Sequence, residues 1–393
     1  MSPRKLLVRL GLIATVLAAV LAVPDWLTTE KIVYGNDFFQ YWSAGRFVLE
    51  GGSPYDHQAF FEFQKSVGWE NSIPFITWNP PWAIGLFLPF ALLRYAPAVM
   101  LWLFVQGALI VGSAILLWKR YSGSREGERL VVFMAVLFTP ALLSIIFGQI
   151  SGWLLVGVTL AVLGVEEDRA GFVGAGVVLM SVKPHFTFLL MLALLWWGLR
   201  RRPLAFIAGS SACLLLLLAV PLTQRPTLIV EYLNTVLHSQ PREYVSDTLG
   251  AGLRLLLGWN HFWVQFLPLF VGIGWLCREA VLHRGSITLE GDRIPLLALV
   301  SALVAPYGWL FDNVVAIPAL VLVWSDLSRH GSRSTRSRFL GGFAGFCLLL
   351  LGLHVWLWDP MQWVHGWVPA CLLAVFLHYR RPEAGHVAEA GPP

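Results

Sequence analysis

The sequence predicts an all-α, polytopic membrane protein of about twelve transmembrane helices, with one re-entrant or interfacial segment and two longer outer loops. Three observations predict it. First, 57% of the 393 residues are hydrophobic and only 13% are charged, with a mean hydropathy of +0.67. Soluble domains carry about 25% charged residues, so there is too little charge to clothe a water-facing surface of this size. Second, the apolar residues gather in thirteen runs. Third, lysine and arginine sit in six clusters between those runs. A soluble enzyme, a disordered chain and a nucleic-acid-coating protein are excluded. The pI near 9.1 belongs to membrane topology before it can point to any polyanion, and no nucleic-acid partner is expected.

The first run, 6–24, follows the basic stretch SPRK. A basic flank and an apolar core also fit a cleaved signal peptide, with small residues across Ala18–Val23. At about 18 residues the run is long enough to span and is read as the first helix. The later runs are 78–93, 97–118, 130–147, 152–164, 171–183, 185–198, 204–221, 263–277, 294–309, 313–324, 339–357 and 366–378. The basic clusters are Arg4/Lys5/Arg9, Lys119/Arg120/Arg125/Arg129, Arg200/Arg201/Arg202, Arg278/Arg284/Arg293, Arg329/Arg333/Arg336/Arg338 and Arg380/Arg381. Lysine and arginine resist translocation, so all six are placed on the cytoplasmic side. An odd number of crossings must then separate loop 25–75 from loop 119–129. The run 97–118 is assigned that crossing. The run 78–93 opens on Asn79-Pro80-Pro81 and contains Pro89. Proline removes a backbone donor and disturbs a helix, so this run is read as re-entrant or interfacial on the outer side. Every later loop then alternates, both termini lie inside, and about 20 of the 28 Lys and Arg fall inside.

The chain thus reads as one transmembrane domain over 1–381, with 25–96 as a first outer region and 222–262 as a second. Residues 382–393 read as a disordered tail. Cys213, Cys277, Cys347 and Cys371 lie in or beside apolar runs and read as small core residues. In the first outer loop, Asp37, Gln40, Tyr41 and Ala44 share one helical face. Gly51-Gly52 stops that helix, and Asp56 can cap a second over about 57–67. Both helices are expected to lie on the outer membrane surface, with Phe38, Phe39, Tyr41 and Trp42 in the interface. Asp37 has two readings: an N-cap, or a carboxylate presented beside aromatic rings.

The segment Asp37-Phe38-x-x-Tyr41-Trp42-x-Ala44-Gly45-Arg46, with Gly52-x-Pro54-Tyr55-Asp56 behind it, resembles the first outer loop of glycosyltransferase family 87. Further elements follow in family order over about 30–320. They are Trp78-Asn79-Pro80-Pro81, Gly148-Gln149, the stretch from Gly171 to Lys183-Pro184, and Ala305-Pro306-Tyr307-Gly308-Trp309-Leu310-Phe311-Asp312. In the last, Gly308 stands where the family pattern carries serine, and Asp312 is its single acid.

The resemblance implies a GT-C type membrane enzyme that moves a sugar from a polyprenyl-phosphate carrier to an acceptor hydroxyl with inversion. Such a step needs a base at the hydroxyl and positive charge at the departing phosphate. It implies Asp37 as the base. Lys183 is either a headgroup anchor or a point charge for the carrier phosphate. His185 is a second donor or an idle interfacial histidine, and Arg242 a phosphate ligand or a solvated loop charge. Tyr41, Gln149, Trp78, Trp309 and Asp312 are the expected sugar or acceptor contacts. Alternatively, Gln149 is a helix-junction contact and Asp312 a cap for 313–324. No metal ligands are assigned, because Asp37 has no second outer acid at fixed spacing; a divalent ion is compatible with the chemistry, and no other cofactor is expected. The expected partners are the lipid-linked donor, a lipid or glycan acceptor and membrane lipids. The expected place is the cytoplasmic membrane, with the site on its outer face. Mannose is the expected sugar and arabinofuranose the alternative. A lipid or polysaccharide transporter or flippase is the reading from another class. That reading expects paired halves and mid-membrane charges, and the sequence shows no repeat and few such charges.

Overall fold

The computed structural model describes residues 37–122, 124, 127–239, 242, 244–282, 289–356 and 365–380. The run 6–24 with its signal-peptide alternative, the start of the first outer loop, the loop around Trp358 and Trp363, and the tail from 382 lie outside the described residues. Among the described residues there are helices and turns and no strand. Five helices are long and apolar enough to cross a membrane: α4 (Tyr95–Tyr121), α10 (Pro203–Gln224), the stretch Phe262–Leu282 that ends in α13 (Leu267–Leu282), the stretch Leu310–His330 that ends in α15 (Ile317–His330), and α16 (Arg333–Trp356). The protein is therefore a membrane-embedded helical protein.

The run 130–147 is not one helix. It divides into α5 (Glu128–Leu137) and α6 (Thr139–Ile146), bent by 60°. Phe138 between them is extended. The cause is Pro140, whose ring and missing N–H interrupt the helical ladder one turn back. Counted as one bent span, the pair makes a sixth candidate. Shorter apolar helices are α3 (Pro81–Ala91), α7 (Ser151–Glu166), α8 (Ala170–Met180), α14 (Arg293–Val304) and α17 (Val368–Tyr379), and α9 (Pro184–Arg201), α11 (Leu228–His238) and α12 (Leu249–Leu257) lie between them. With 11 residues, α3 is about 16 Å long, half the hydrocarbon thickness of a bilayer of about 30 Å. Glycine lets α7 and α8 pack backbone to backbone. A Cβ on Gly157 would stand 2.7 Å from the Gly176 carbonyl oxygen, and one on Gly176 would stand 2.6 Å from that of Gly157. Small residues at a helix contact are how membrane helices approach this closely.

The first outer region departs from its expected surface position. α2 (His57–Ser66) is capped by Asp56, whose carboxylate accepts the Ala59 N–H at 3.2 Å. Within α2 only Phe60 and Gln64 are buried. α1 (Phe38–Leu49), by contrast, is buried, and its aromatic residues form core rather than an interfacial belt. Phe38 stacks on Trp102 at 5.0 Å, Tyr41 on Phe87 at 4.7 Å and Phe39 on Trp69 at 5.1 Å. α3 and α4 cover the helix, so the apolar faces meet protein instead of lipid.

Two ends of the bundle differ in chemistry. At one end Arg120 and Glu166 pair, Glu166 also accepts the Gly291 N–H at 2.7 Å, Arg380 pairs with Asp292, and Asp168 meets Arg201 and Arg202. The segments around residues 37, 148, 183, 247, 306–311 and 365 converge elsewhere, around one cavity.

Candidate active site

The cavity encloses about 780 Å³, within the size range of small-molecule sites. Several of the motifs read from the sequence have a mechanical part in its wall. Asp37 precedes α1, and its backbone N–H donates to Phe147 O at 3.0 Å. It occupies the N-cap position, yet its side chain caps nothing. The carboxylate instead accepts a hydrogen bond from Gln149 Nε2. Gln149 is placed by Gly148, which adopts φ +61° and so ends α6 in the left-handed turn that favours glycine. The Gly148 carbonyl is fixed by Trp102 Nε1 at 2.7 Å. Gln149 Oε1 accepts from the Tyr41 hydroxyl at 3.3 Å, which orients the amide with its N–H toward Asp37. Asp37 keeps partial exposure on the cavity side. Burial of the rest pushes its carboxyl up to about 6, against the Lys183 charge and the Gln149 hydrogen bond, which both hold it down.

The Trp78-Asn79-Pro80-Pro81 element positions Lys183. Pro81 starts α3, where a missing N–H costs nothing. Asn79 Nδ2 donates to Val182 O at 3.2 Å, and Trp82 Nε1 to Ser181 Oγ at 3.0 Å. These bonds fix the turn between α8 and α9 (Pro184–Arg201). Lys183 lines the cavity and reaches both oxygens of Asp312, at 2.6 and 2.8 Å. Its ammonium also lies 5.0 Å from the Trp309 ring and 4.9 Å from that of Phe311.

Asp312 departs from the wall position expected for it. Its relative exposure is 0% and it is not among the cavity-lining residues. It does serve the helix start: at the third position of the short helical stretch Leu310–Ala316 that leads into α15, its carboxylate accepts the N–H of the N-cap residue Trp309 at 3.1 Å, and it also accepts the Ser151 hydroxyl at 2.8 Å. It is the buried counter-charge of Lys183. Arg242 is likewise off the wall, exposed and lying over the Phe262 ring at 5.3 Å. Tyr41, Trp78, Gln149, His185 and Trp309 all line the cavity. Trp78 Nε1 and His185 Nε2 are buried there without a hydrogen-bond partner.

Three wall residues escaped the sequence reading. Asp247 donates its backbone N–H to Gly308 O at 2.8 Å, and its carboxylate accepts the Leu310 N–H at 3.2 Å. Burial raises its carboxyl above the ordinary range. His365 Nδ1 stands 3.5 Å from the other Asp247 oxygen, and the His354 ring centroid is 6.1 Å from that of His365. The signal for them was weak: single histidines near outer helix ends and an acid in a polar loop. Buried Arg254 organises the second outer region behind them. It donates to Trp259 O at 2.8 Å, Gln265 Oε1 at 3.1 Å and Arg242 O at 3.0 Å. No group of three His, Cys, Asp or Glu residues able to hold a metal ion occurs among the described residues.

The wall therefore offers an oriented carboxylate, a buried ammonium, several imidazoles and aromatic faces, which suits group transfer to a hydroxyl. The profile of glycosyltransferase family 87 matches residues 77–388. The match begins downstream of Asp37, so that residue's place at the wall is an independent structural finding. No curated protein and no solved structure matches the chain. The chain belongs to glycosyltransferase family 87 and is a membrane glycosyltransferase.

Proposed function

We propose that the protein moves a hexose, with mannose the expected sugar, from a polyprenyl-phosphate carrier to a lipid or glycan acceptor by an inverting displacement with Asp37 as base. The observation that carries this reading is the oriented Asp37 carboxylate at the wall of a cavity that also contains Lys183. The acceptor oxygen attacks the anomeric carbon as its proton passes to Asp37. The bond from that carbon to the phosphate oxygen breaks, and its electron pair leaves with the phosphate. Lys183 has three N–H donors; Asp312 engages two, so the third is available to an oxygen of the donor. Trp309, Trp78 and Tyr41 offer aromatic surfaces to sugar rings.

The reading includes a GT-C topology of twelve crossings in the cytoplasmic membrane, with both termini inside and α3 re-entrant. Supporting it, the segments that converge on the cavity are those that the charge count puts outside, and the loops joined by Arg120, Glu166, Asp168 and Asp292 are those it puts inside. A cysteine at Arg94 should react with an impermeant reagent added from the outer side; reaction only from the inner side would make α3 a crossing. The whole reading is tested with purified protein, polyprenyl-phosphate-linked radiolabelled mannose and candidate acceptors. Transfer of label is the expected result. No turnover of any lipid-linked sugar, with movement of lipid across vesicles instead, would overturn it.

A pH profile tests the base separately. A base works as the carboxylate, so activity should fall about tenfold per pH unit below a limb near 6. Gln149→Leu removes a hydrogen bond that favours the charged form, so the limb should move to higher pH. A limb that stays in place in this variant would separate Asp37 from the observed titration.

A further inference from the structure

The cavity is short of positive charge for the donor proposed above. A polyprenyl-phosphate sugar is a phosphodiester with one negative charge, and the departing polyprenyl phosphate gains a second as the sugar leaves. Among the described residues, the wall carries two acids, Asp37 and Asp247, and one lysine, Lys183. That ammonium already faces both oxygens of Asp312. Arg242 is not on the wall. The other wall groups able to become cations are His185, His354 and His365.

His365 is the imidazole with a carboxylate at ion-pair distance. Its Nδ1 lies 3.5 Å from Asp247 Oδ1, a charge contact longer than a formed hydrogen bond. Asp247 is held in place by the 308–310 backbone through Gly308 O and Leu310 N–H. His365 is 5% exposed and Asp247 8%. At the other side of the ring, His365 Nε2 is buried with no hydrogen-bond partner. Leaving such a nitrogen unmatched costs free energy that a ligand oxygen at the cavity wall would recover. His185, by comparison, stands two residues from Lys183, where an ammonium is already present.

We propose that His365, oriented by Asp247, binds the phosphate of the lipid-linked donor and offsets the charge that phosphate gains as the sugar departs. This rests on the polyprenyl-phosphate reading of the preceding subsection. The imidazolium, having taken its proton from solvent, directs Nδ1–H at Asp247 and donates Nε2–H to a phosphate oxygen. It keeps that proton through the reaction. The acceptor proton goes to Asp37, and the electron pair of the broken bond stays on the phosphate oxygen. Because the phosphate charge grows toward the transition state, the contact strengthens there, and such a contact accelerates the step. His365 touches the leaving group; Asp247 acts through it and is a positioning residue.

Two probes that differ only in the phosphate test this: farnesyl monophosphate and farnesol, with binding followed by tryptophan fluorescence of the full chain in detergent. The parent protein should prefer the phosphate. His365→Ala and His365→Gln should each narrow that preference about tenfold or more, the size of one charge-assisted hydrogen bond, while farnesol binds as before. Asp247→Asn should narrow it in the same direction, and Arg242→Ala should leave it intact. A preference that survives in both His365 variants overturns the inference and leaves the donor reading standing. Equal weakening of both probes makes His365 a structural residue and also overturns it. No preference in the parent protein removes the donor reading itself, and this inference with it.

Discussion

Asp37→Asn is expected to lower sugar transfer by about 10²–10⁴-fold, the range of a lost general base, while the protein melts within a few degrees of the parent. The two halves of this result come from separate features of one residue. Chemically, the amide cannot take the acceptor proton, although its oxygen can still accept from Gln149 Nε2. Structurally, Asp37 sits at the N-cap position of α1 without capping it, so no helix end loses a partner. Its backbone N–H bond to Phe147 O is untouched by the substitution. Burial disfavours the charged form at this site, and a neutral amide carries no such cost. Transfer assays with lipid-linked mannose, run beside thermal melts in the same detergent, measure both halves. Transfer near the parent rate in a folded Asn variant would remove Asp37 from the chemistry. Loss of activity together with a large drop in melting temperature would make it a structural residue instead.

What could be read in the sequence was local, and what could not was pairing over long separations. The helical runs follow from hydropathy, but 130–147 reads as one run although Pro140 lies inside it. Asp37 stood out because few acids lie outside the basic loops. Its partner Gln149, however, is 112 residues away, and no periodicity links the two. Lys183 and Asp312 are 129 residues apart, so each was assigned a separate task at the site when in fact they satisfy one another. Asp247 and His365 are likewise far apart in the chain, and neither was assigned any task. The burial of α1 failed for a different reason. Phe38, Phe39, Tyr41 and Trp42 suit a membrane interface and a protein core equally well, since both reward large rings with a polar tip. Only the packing of α3 and α4 decides between them.

The largest stability effect should come from the ion pair beneath the cavity. Lys183→Met leaves the Asp312 carboxylate fully buried with its cation gone, and such a loss costs about 3–5 kcal/mol. Asp312→Leu strands the Lys183 ammonium in the same way, and it also unsatisfies the Ser151 hydroxyl and the Trp309 N–H. The double variant Lys183→Met/Asp312→Leu removes both charges and should regain much of the stability lost in either single variant, since apolar replacement of a whole buried pair is often neutral. A double-mutant cycle on unfolding measures this coupling. Single variants within about 0.5 kcal/mol of the parent, or a double variant no better than the worse single, would mean that the pair is reached by water and carries little energy. Activity should not follow stability. The double variant regains its fold but has no ammonium at the wall, so transfer should remain as low in it as in Lys183→Met. That divergence separates two roles of the pair: the carboxylate makes a buried lysine tolerable, and the lysine presents its remaining N–H to the cavity. An apolar pair could match the first role and has nothing to offer the second.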